Sequence, residues 1–380
     1  MKKNIVLSMA VASLLGADSL DSAFKNAKVD GYIRAGYQYH DISEDKSYKS
    51  DSIGGKLHIK TAPISGITAG ASFYTTNKIS NNDGEGVVFF NSNNKSYSIL
   101  GEAYLEGVFG NTTIKLGRQE LDTPFADTND IGMIPNTFEA GVLVNKDIKD
   151  TTLILAQVQK WAGVDTDKPE EFQKIYNNDS VQTFGVIYDG IEGLSLSGWF
   201  FNLKAKNSDD LDSISYLEAT YGSSLNSVSY EVGLQYANQS HKDTKNSKIY
   251  GITLSLSLQN SGLTFSGAYN KVQDNLASNG FGGWPFFTSM EHLTIDGMGD
   301  DAKATTYGIE WDASAVVSGL SFGYNTFEVK SHSKKATEDD FTLSYNIKQN
   351  LNLTAIYSDI DDKINSEKFK NTRVFVNYNF

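Results

Sequence analysis

Few residues of this chain have the types and spacing needed for catalysis. The stretch Gly319-Leu-Ser-Phe-Gly323 has the spacing that hydrolases use to expose a serine nucleophile at a sharp turn between a strand and a helix. Ser321 instead lies within alternating apolar and polar residues, and no helical pattern follows it. None of the five histidines lies beside a nucleophile signal, and the chain has no cysteine. We therefore expect no enzyme active site.

A second candidate for chemistry is the acidic stretch from Asp127 to Asp130. Its carboxylate and amide oxygens are ligand types that calcium prefers. The EF-hand spacing fails at Ile131, so a solvated acidic loop is the preferred interpretation. We expect no cofactor or metal, with calcium at this acidic loop as the alternative.

Charged residues two positions apart carry more information. Lys56, His58 and Lys60 share one parity of their segment, while Leu57 and Ile59 occupy the other. This period of two is typical of a β-strand with one apolar face, so the charged side chains point to the opposite face together.

The same alternation recurs along nearly the whole chain. We expect eighteen strands, near residues 29–39, 53–61, 66–75, 97–106, 111–118, 138–146, 151–160, 181–189, 194–203, 213–222, 228–238, 250–258, 263–271, 304–313, 320–325, 341–346, 351–358 and 370–380. Eight short connections alternate with nine long ones, near 40–52, 76–96, 119–137, 161–180, 204–212, 239–248, 272–303, 329–340 and 359–369. This layout predicts an all-β fold, a transmembrane antiparallel β-barrel over residues 29–380 with short periplasmic turns.

Composition and the first residues agree with export to an outer membrane. Lys2 and Lys3 precede an apolar run, which predicts a signal peptide over residues 1–17. Residues 18–28 are expected to form a short periplasmic segment with helical spacing. A hydrophobic fraction of 39% excludes a bundle of transmembrane helices, and a net charge of -13 argues against nucleic-acid binding.

With the apolar parity facing lipid, the other parity lines the lumen. The expected inward basic residues are Arg34, Lys56, Lys60 and Arg373, on one wall. The expected inward carboxylates include Glu102, Glu106, Glu139 and Glu310. A basic wall facing an acidic wall would orient charged solutes, and the alternative is that these charges pair with one another. Arg118 does not fit, because it shares parity with lipid-facing Leu116.

The third long connection differs from an ordinary surface loop. It contains two of the five prolines together with Phe125, Ile131, Met133 and Ile134, which indicates a loop folded inward as a constriction. The stretches Leu116-Gly-Arg-Gln-Glu-Leu-Asp-Thr-Pro124 and Ile134-Pro-Asn-Thr-Phe-Glu139 resemble the third-loop region of OprD-type outer-membrane porins. The opening from Asp18 to Gly31 and the stretch Gly282-Gly-Trp-Pro-Phe-Phe-Thr-Ser-Met290 are also similar to that family.

The resemblance implies a selective channel for small water-soluble molecules, often carboxylates or amino acids, with a basic ladder opposite an acidic constriction loop. It places Arg34 and Arg373 in the ladder, and Asp122, Asp127, Asp130 and Glu139 in the constriction. The chain has only three arginines, so the ladder is short, and the net charge favours cations. The alternatives are a barrel lipase or esterase and a non-conducting adhesin.

The expected location is the bacterial outer membrane, after removal of the signal peptide. The expected partners are outer-membrane lipid and lipopolysaccharide together with small polar solutes and ions, and a homotrimer remains open.

Overall fold

Eighteen long antiparallel strands form a closed ring in the computed structural model, which describes residues 20–43, 46–80 and 88–380. The long strands are β1 (Lys28–Ser43), β2 (Lys46–Lys60), β3 (Ile67–Lys78), β4 (Tyr97–Phe109), β5 (Thr112–Gln119), β8 (Thr137–Asn145), β9 (Thr151–Ala162), β11 (Val181–Ile191), β12 (Leu194–Asn202), β13 (Leu211–Leu225), β14 (Val228–His241), β15 (Ser247–Leu258), β16 (Leu263–Gln273), β17 (Lys303–Asp312), β18 (Leu320–Ser331), β19 (Lys334–Lys348), β20 (Leu351–Asp362) and β21 (Glu367–Asn379). Three two-residue strands lie in connections: β6 (Asp122–Thr123), β7 (Ala126–Asp127) and β10 (Gln173–Lys174).

The ring closes between its first and last strands. β1 pairs with β2 on one side and with β21 on the other, where Arg34 lies opposite Asn377 and Gln38 opposite Arg373. Backbone N–H and C=O groups of Gly31 and Phe380 are bonded to each other in both directions, at 3.1 Å. Among the described strands, closure leaves no unpaired edge facing lipid, so the expected eighteen-strand barrel is confirmed.

The two faces of the strands show the reverse of a soluble protein's pattern. On β14, Leu234 is 55% exposed, whereas the next residue, Gln235, is 6% exposed. Apolar side chains such as Leu105 on β4 and Leu217 on β13 also point outward. An apolar outer wall around a polar interior is typical of a barrel in a membrane.

Several connections are shorter than the sequence indicated. The long connection expected at 329–340 is reduced to His332 and Ser333, because β18 and β19 pair up to their tips. Those expected at 40–52 and 359–369 are likewise mostly strand. The expectation was wrong because strand pairing needs only backbone groups, while the apolar outer face that marks a strand ends where the wall leaves the lipid.

One short helix precedes the barrel. α1 (Leu20–Lys25) lies within the expected N-terminal segment, and its buried Ala23 accepts a hydrogen bond from the backbone N–H of Ala62, at 3.0 Å. Ala62 belongs to the β2–β3 connection, so α1 lies at the barrel end with the short turns. The predicted signal peptide, residues 1–17, lies outside the described residues. Within the described ranges, no helix is long and apolar enough to cross a membrane.

Candidate functional site

A connecting segment between β5 and β8 crosses the interior of the barrel. This third-loop segment, residues 120–136, contains Phe125, whose side chain is fully buried. The Phe125 ring packs edge-on against Phe201 of β12 and Tyr216 of β13, with centroid distances of 5.5 and 5.6 Å. Tyr216 points into the lumen, because its neighbour Leu217 is exposed on the outer wall. Phe125 therefore anchors the segment to the inner wall.

The other anchor of this segment lies on β1, which is nine strands from β13 around the ring. Arg34 is only 7% exposed, and its guanidinium donates to both carboxylate oxygens of Asp130, at 2.6 and 2.8 Å. It also donates to the Gly132 carbonyl and to Asn377 Oδ1, each at 2.6 Å. Anchors on β13 and β1 place the segment across the lumen. A bidentate pair, such as that of Arg34 with Asp130, is stronger than a single charge-assisted hydrogen bond.

A cluster of charged side chains lies on the wall formed by β2, β3 and β4. Lys56 Nζ is 2.9 Å from Glu120 Oε1 and 3.7 Å from Glu102 Oε2. Tyr74 donates a hydrogen bond to the same Glu120 oxygen, at 2.6 Å. Nearer the short turns, Lys60 Nζ lies 2.7 Å from Glu106 Oε1. Each of these two lysines therefore has a carboxylate partner on the same wall.

A second segment also enters the lumen. This seventh-loop segment, residues 274–302 between β16 and β17, places Glu291 in an ion pair with Arg373 of β21, which is 3% exposed. The buried carboxylate of Glu338 on β19 accepts the backbone N–H groups of His292 and Leu293, at 3.0 and 2.6 Å. Side chains of the barrel wall therefore fix the middle of this segment.

A cavity of about 410 Å³ remains beside the third-loop segment. Its charged lining residues are Asp30, Lys56, Glu120 and Asp130, so three carboxylates accompany one ammonium group. This is a polar, acidic space bounded by β1, β2, the end of β21 and the third-loop segment. Its lining is suited to hydrated cations and to the cationic ends of solutes.

A sequence model described as outer membrane porin, OprD family, matches residues 84–380. The chain belongs to the OprD family of outer-membrane porins. The bacterial outer membrane is therefore its location, and the family assignment favours a channel over the lipase and adhesin alternatives.

Solved porin structures share the fold at low sequence identity. OpdK of Pseudomonas aeruginosa, crystallised with vanillate, is similar with a TM-score of 0.81 at 16% identity, covering 94% of this chain and 99% of that one. OccAB4 of Acinetobacter baumannii gives 0.80 at 18%, with coverage of 93% and 98%. OccAB2 of Acinetobacter baumannii gives 0.78 at 20%, with coverage of 94% and 99%. No curated protein matches the chain in sequence.

One residue assigned to the porin's constriction lies elsewhere. Glu139 is directly opposite Arg118 and Lys160 on neighbouring strands, and the three share the outer face with exposed Leu116. Lys160 Nζ lies 3.3 Å from Glu139 Oε1. The expectation for Glu139 was wrong, because its side chain points outward together with that of Arg118, and each has an opposite charge nearby.

The expected separation into a basic wall and an acidic wall is also wrong. Glu102 and Glu106 lie on β4, two strands from Lys56 and Lys60 on β2, and they pair with these lysines. The distance across two strands is about 10 Å, which long side chains bridge easily. The alternative, in which the charges of the porin's lumen pair with one another, describes this wall.

The remaining predicted acidic residues have different surroundings. Asp127 accepts the backbone N–H of Asn129 at 2.8 Å, within the turn that follows the β6–β7 pairing of Asp122 with Asp127. Glu310 is exposed near the short-turn end of β17 and does not line the cavity beside the third-loop segment. Among the described residues, the side chains close enough to hold a metal are Asp300, Asp301 and His332, which are all exposed and lie outside the acidic loop.

A contact between the third and fourth loops was not expected from the sequence. Asn136, fully buried, donates to Asp165 Oδ2 at 2.6 Å, and Asn129 donates to both oxygens of the same carboxylate. Burial raises the pKa of Asp165, and the two amide donors oppose that rise. Gly282 of the seventh-loop segment approaches so closely that a Cβ there would lie 2.4 Å from Asn136 Nδ2. Three loops therefore meet at Asn136.

Proposed function

We propose that the porin passes small polar solutes and ions by passive diffusion, with a preference for cations and for the cationic end of zwitterions. The narrow region is the space left by the third-loop and seventh-loop segments. The observation that carries the proposal is the acidic cavity, where Asp30, Glu120 and Asp130 outnumber, by one charge, Lys56 and the Arg34 guanidinium that binds Asp130. Fixed carboxylates at a narrow point favour cations over anions.

The pairing of the basic residues supports this preference. Arg34 and Arg373 are almost fully buried and bound to Asp130 and Glu291, so little guanidinium surface faces a passing anion. Lys56 is similarly bound to Glu120. A basic ladder open to carboxylates is therefore not supported for this chain. Amino acids, with an ammonium group, suit the cavity better than simple carboxylates such as the vanillate crystallised with OpdK.

We further propose that this porin catalyses no reaction. Ser321 lies inside β18 and is paired with Ser344 of β19. The strand, turn and helix of a hydrolase elbow are therefore not formed at this serine. Lipopolysaccharide as a partner and a homotrimeric assembly stay predictions from the sequence.

The test is a recording of single channels from the purified protein in a planar bilayer with a salt gradient across it. We expect discrete current steps and a reversal potential that indicates selectivity for cations. Glu120→Gln should shift the reversal potential toward weaker cation selectivity, because it removes a carboxylate beside Lys56. Glu310→Gln is the matched control, since it removes a carboxylate on β17 that does not line the cavity. An anion-selective wild type would refute the proposed preference for cations. Folded protein that gives no current steps would refute the proposal that the barrel conducts.

A further inference from the structure

The outer wall carries a row of four lysines at its external edge. Lys271, Lys303, Lys330 and Lys335 lie directly opposite one another on four consecutive strands, β16 to β19. They point outward, because the residues beside them, such as Val272, Ala304, Val329 and Ala336, are buried on the inner side. We name these four residues the lysine row.

Such an arrangement is unfavourable on its own. Directly opposite residues of antiparallel strands have Cβ atoms about 5 Å apart, and like charges at that distance destabilise the sheet. Glu328 offsets part of the repulsion through ion pairs with Lys330 and Lys335. Within the described part of the chain, Lys271 and Lys303 have no salt bridge. Among the described residues, Glu328 is the one carboxylate in a salt bridge with these four lysines, so the row itself carries an excess of positive charge on a protein of net charge -13.

The position of the row fits the headgroup layer of the outer leaflet. Lys330 is ten residues from Leu320, at the short-turn end of β18. At about 3.4 Å per residue and a tilt of about 40°, this is a height of roughly 25 Å, the thickness of the apolar band of such barrels. On the next two strands, β15 and β14, the positions in line with the lysine row are occupied by Tyr250 and Tyr236. Both are outward aromatic residues of the kind that mark the membrane interface.

We propose that the lysine row binds the phosphate groups of a phosphorylated lipid in the outer leaflet. The four side chains cover about 14 Å across the wall, since neighbouring strands are about 4.8 Å apart, so two phosphate groups of one lipid can be bound together. The row faces away from the lumen and does not meet permeating solutes. The proposal rests on the outer-membrane location and is independent of the proposed solute preference.

The test uses native mass spectrometry of the detergent-purified porin with an acylated glucosamine disaccharide carrying two, one or no phosphate groups. We expect the wild type to bind the two-phosphate lipid at least about tenfold more tightly than the lipid without phosphate. The variant Lys271→Gln, Lys303→Gln, Lys330→Gln should lose most of that difference. Inorganic phosphate at the lipid's concentration should not compete, because it lacks the acyl chains that hold the lipid against the wall.

A matched control changes the same charge at the other end of the barrel. Lys146→Gln, Lys149→Gln, Lys348→Gln removes three exposed lysines near the short turns and should bind lipid like the wild type. Heat-induced unfolding on gels checks that each variant is folded, and single-channel current checks conduction separately. Equal binding of all three lipids by the wild type, or unchanged binding by the lysine-row variant, would overturn the proposal.

Discussion

The contact between Arg34 and Asp130 should decide whether the third-loop segment stays across the lumen. Asp130→Asn keeps the shape of the side chain but removes the charge that the buried guanidinium faces. Breaking one partner of a buried ion pair costs about 3–5 kcal/mol. Asp130 is 43% exposed, and Arg34 keeps its bonds to Asn377 and Gly132, so we expect about 2–3 kcal/mol here.

This loss falls on the docked state of the segment, because Arg34 itself stays in β1. A difference of 2–3 kcal/mol changes the ratio of undocked to docked segment by roughly 30- to 150-fold. Single-channel recording should show this as more frequent and longer visits to a state of higher conductance. Asp130→Glu, which retains the charge, should recover part of the wild-type behaviour.

A matched variant separates loop release from the simple loss of one negative charge. Asp30 lines the same cavity from β1 but is not part of the third-loop segment. Asp30→Asn should shift ion preference without adding the higher-conductance state. If Asp130→Asn and Asp30→Asn give the same records, the ion pair with Arg34 does not hold the segment.

Three further perturbations test the packing of the lumen segments. Phe125→Ala should destabilise the docked third-loop segment by about 3–5 kcal/mol and raise conductance, measured in planar bilayers. Gly282→Ala should displace the loops that meet at Asn136, because its φ is +77° and its Cβ would clash; lower protection from protease is the readout. Burial lowers the pKa of His292 to about 3 from an ordinary 6.5. Between these two values only the unfolded state takes up a proton, so the contribution of the neutral side chain to stability is complete above pH 6.5 and falls as the pH drops toward 3. The wild type should therefore lose up to about 2 kcal/mol more than His292→Asn between pH 7.5 and 5, measured by chemical unfolding.

The strands were predictable because the membrane imposes one rule on every span. A lipid-facing position must be apolar, and the alternate position faces water, so the period of two marks strands such as β15 and β16 directly. Where β18 and β19 rise above the lipid, that rule no longer applies. The strands continue there with charged residues such as Glu328 and Lys330 on the outer face and with buried Phe327 and Val329 on the inner face. The apolar parity is therefore reversed, and the rule of an apolar outer face does not find these residues.

The inner-wall residues were only partly predictable. Parity placed Arg34 and Lys56 inward, yet it carries no information about which carboxylate each one meets. Glu120 and Glu291 follow no strand alternation, because they lie in connecting segments whose path depends on the whole barrel. Glu139 lies near the external end of β8, and its assignment to the constriction came from resemblance, whereas its position opposite Arg118 determines its face.

The pairing of Gly31 with Phe380 also bears on how the porin is assembled. The two strands that close the ring are separated by more than 300 residues, so this contact forms only when the last strand is available. Before that moment the sheet has two open edges that can pair with other chains. Such long-range pairing is slow. A newly made chain therefore needs protection during biogenesis, and truncation before β21 should yield aggregated protein instead of a smaller pore.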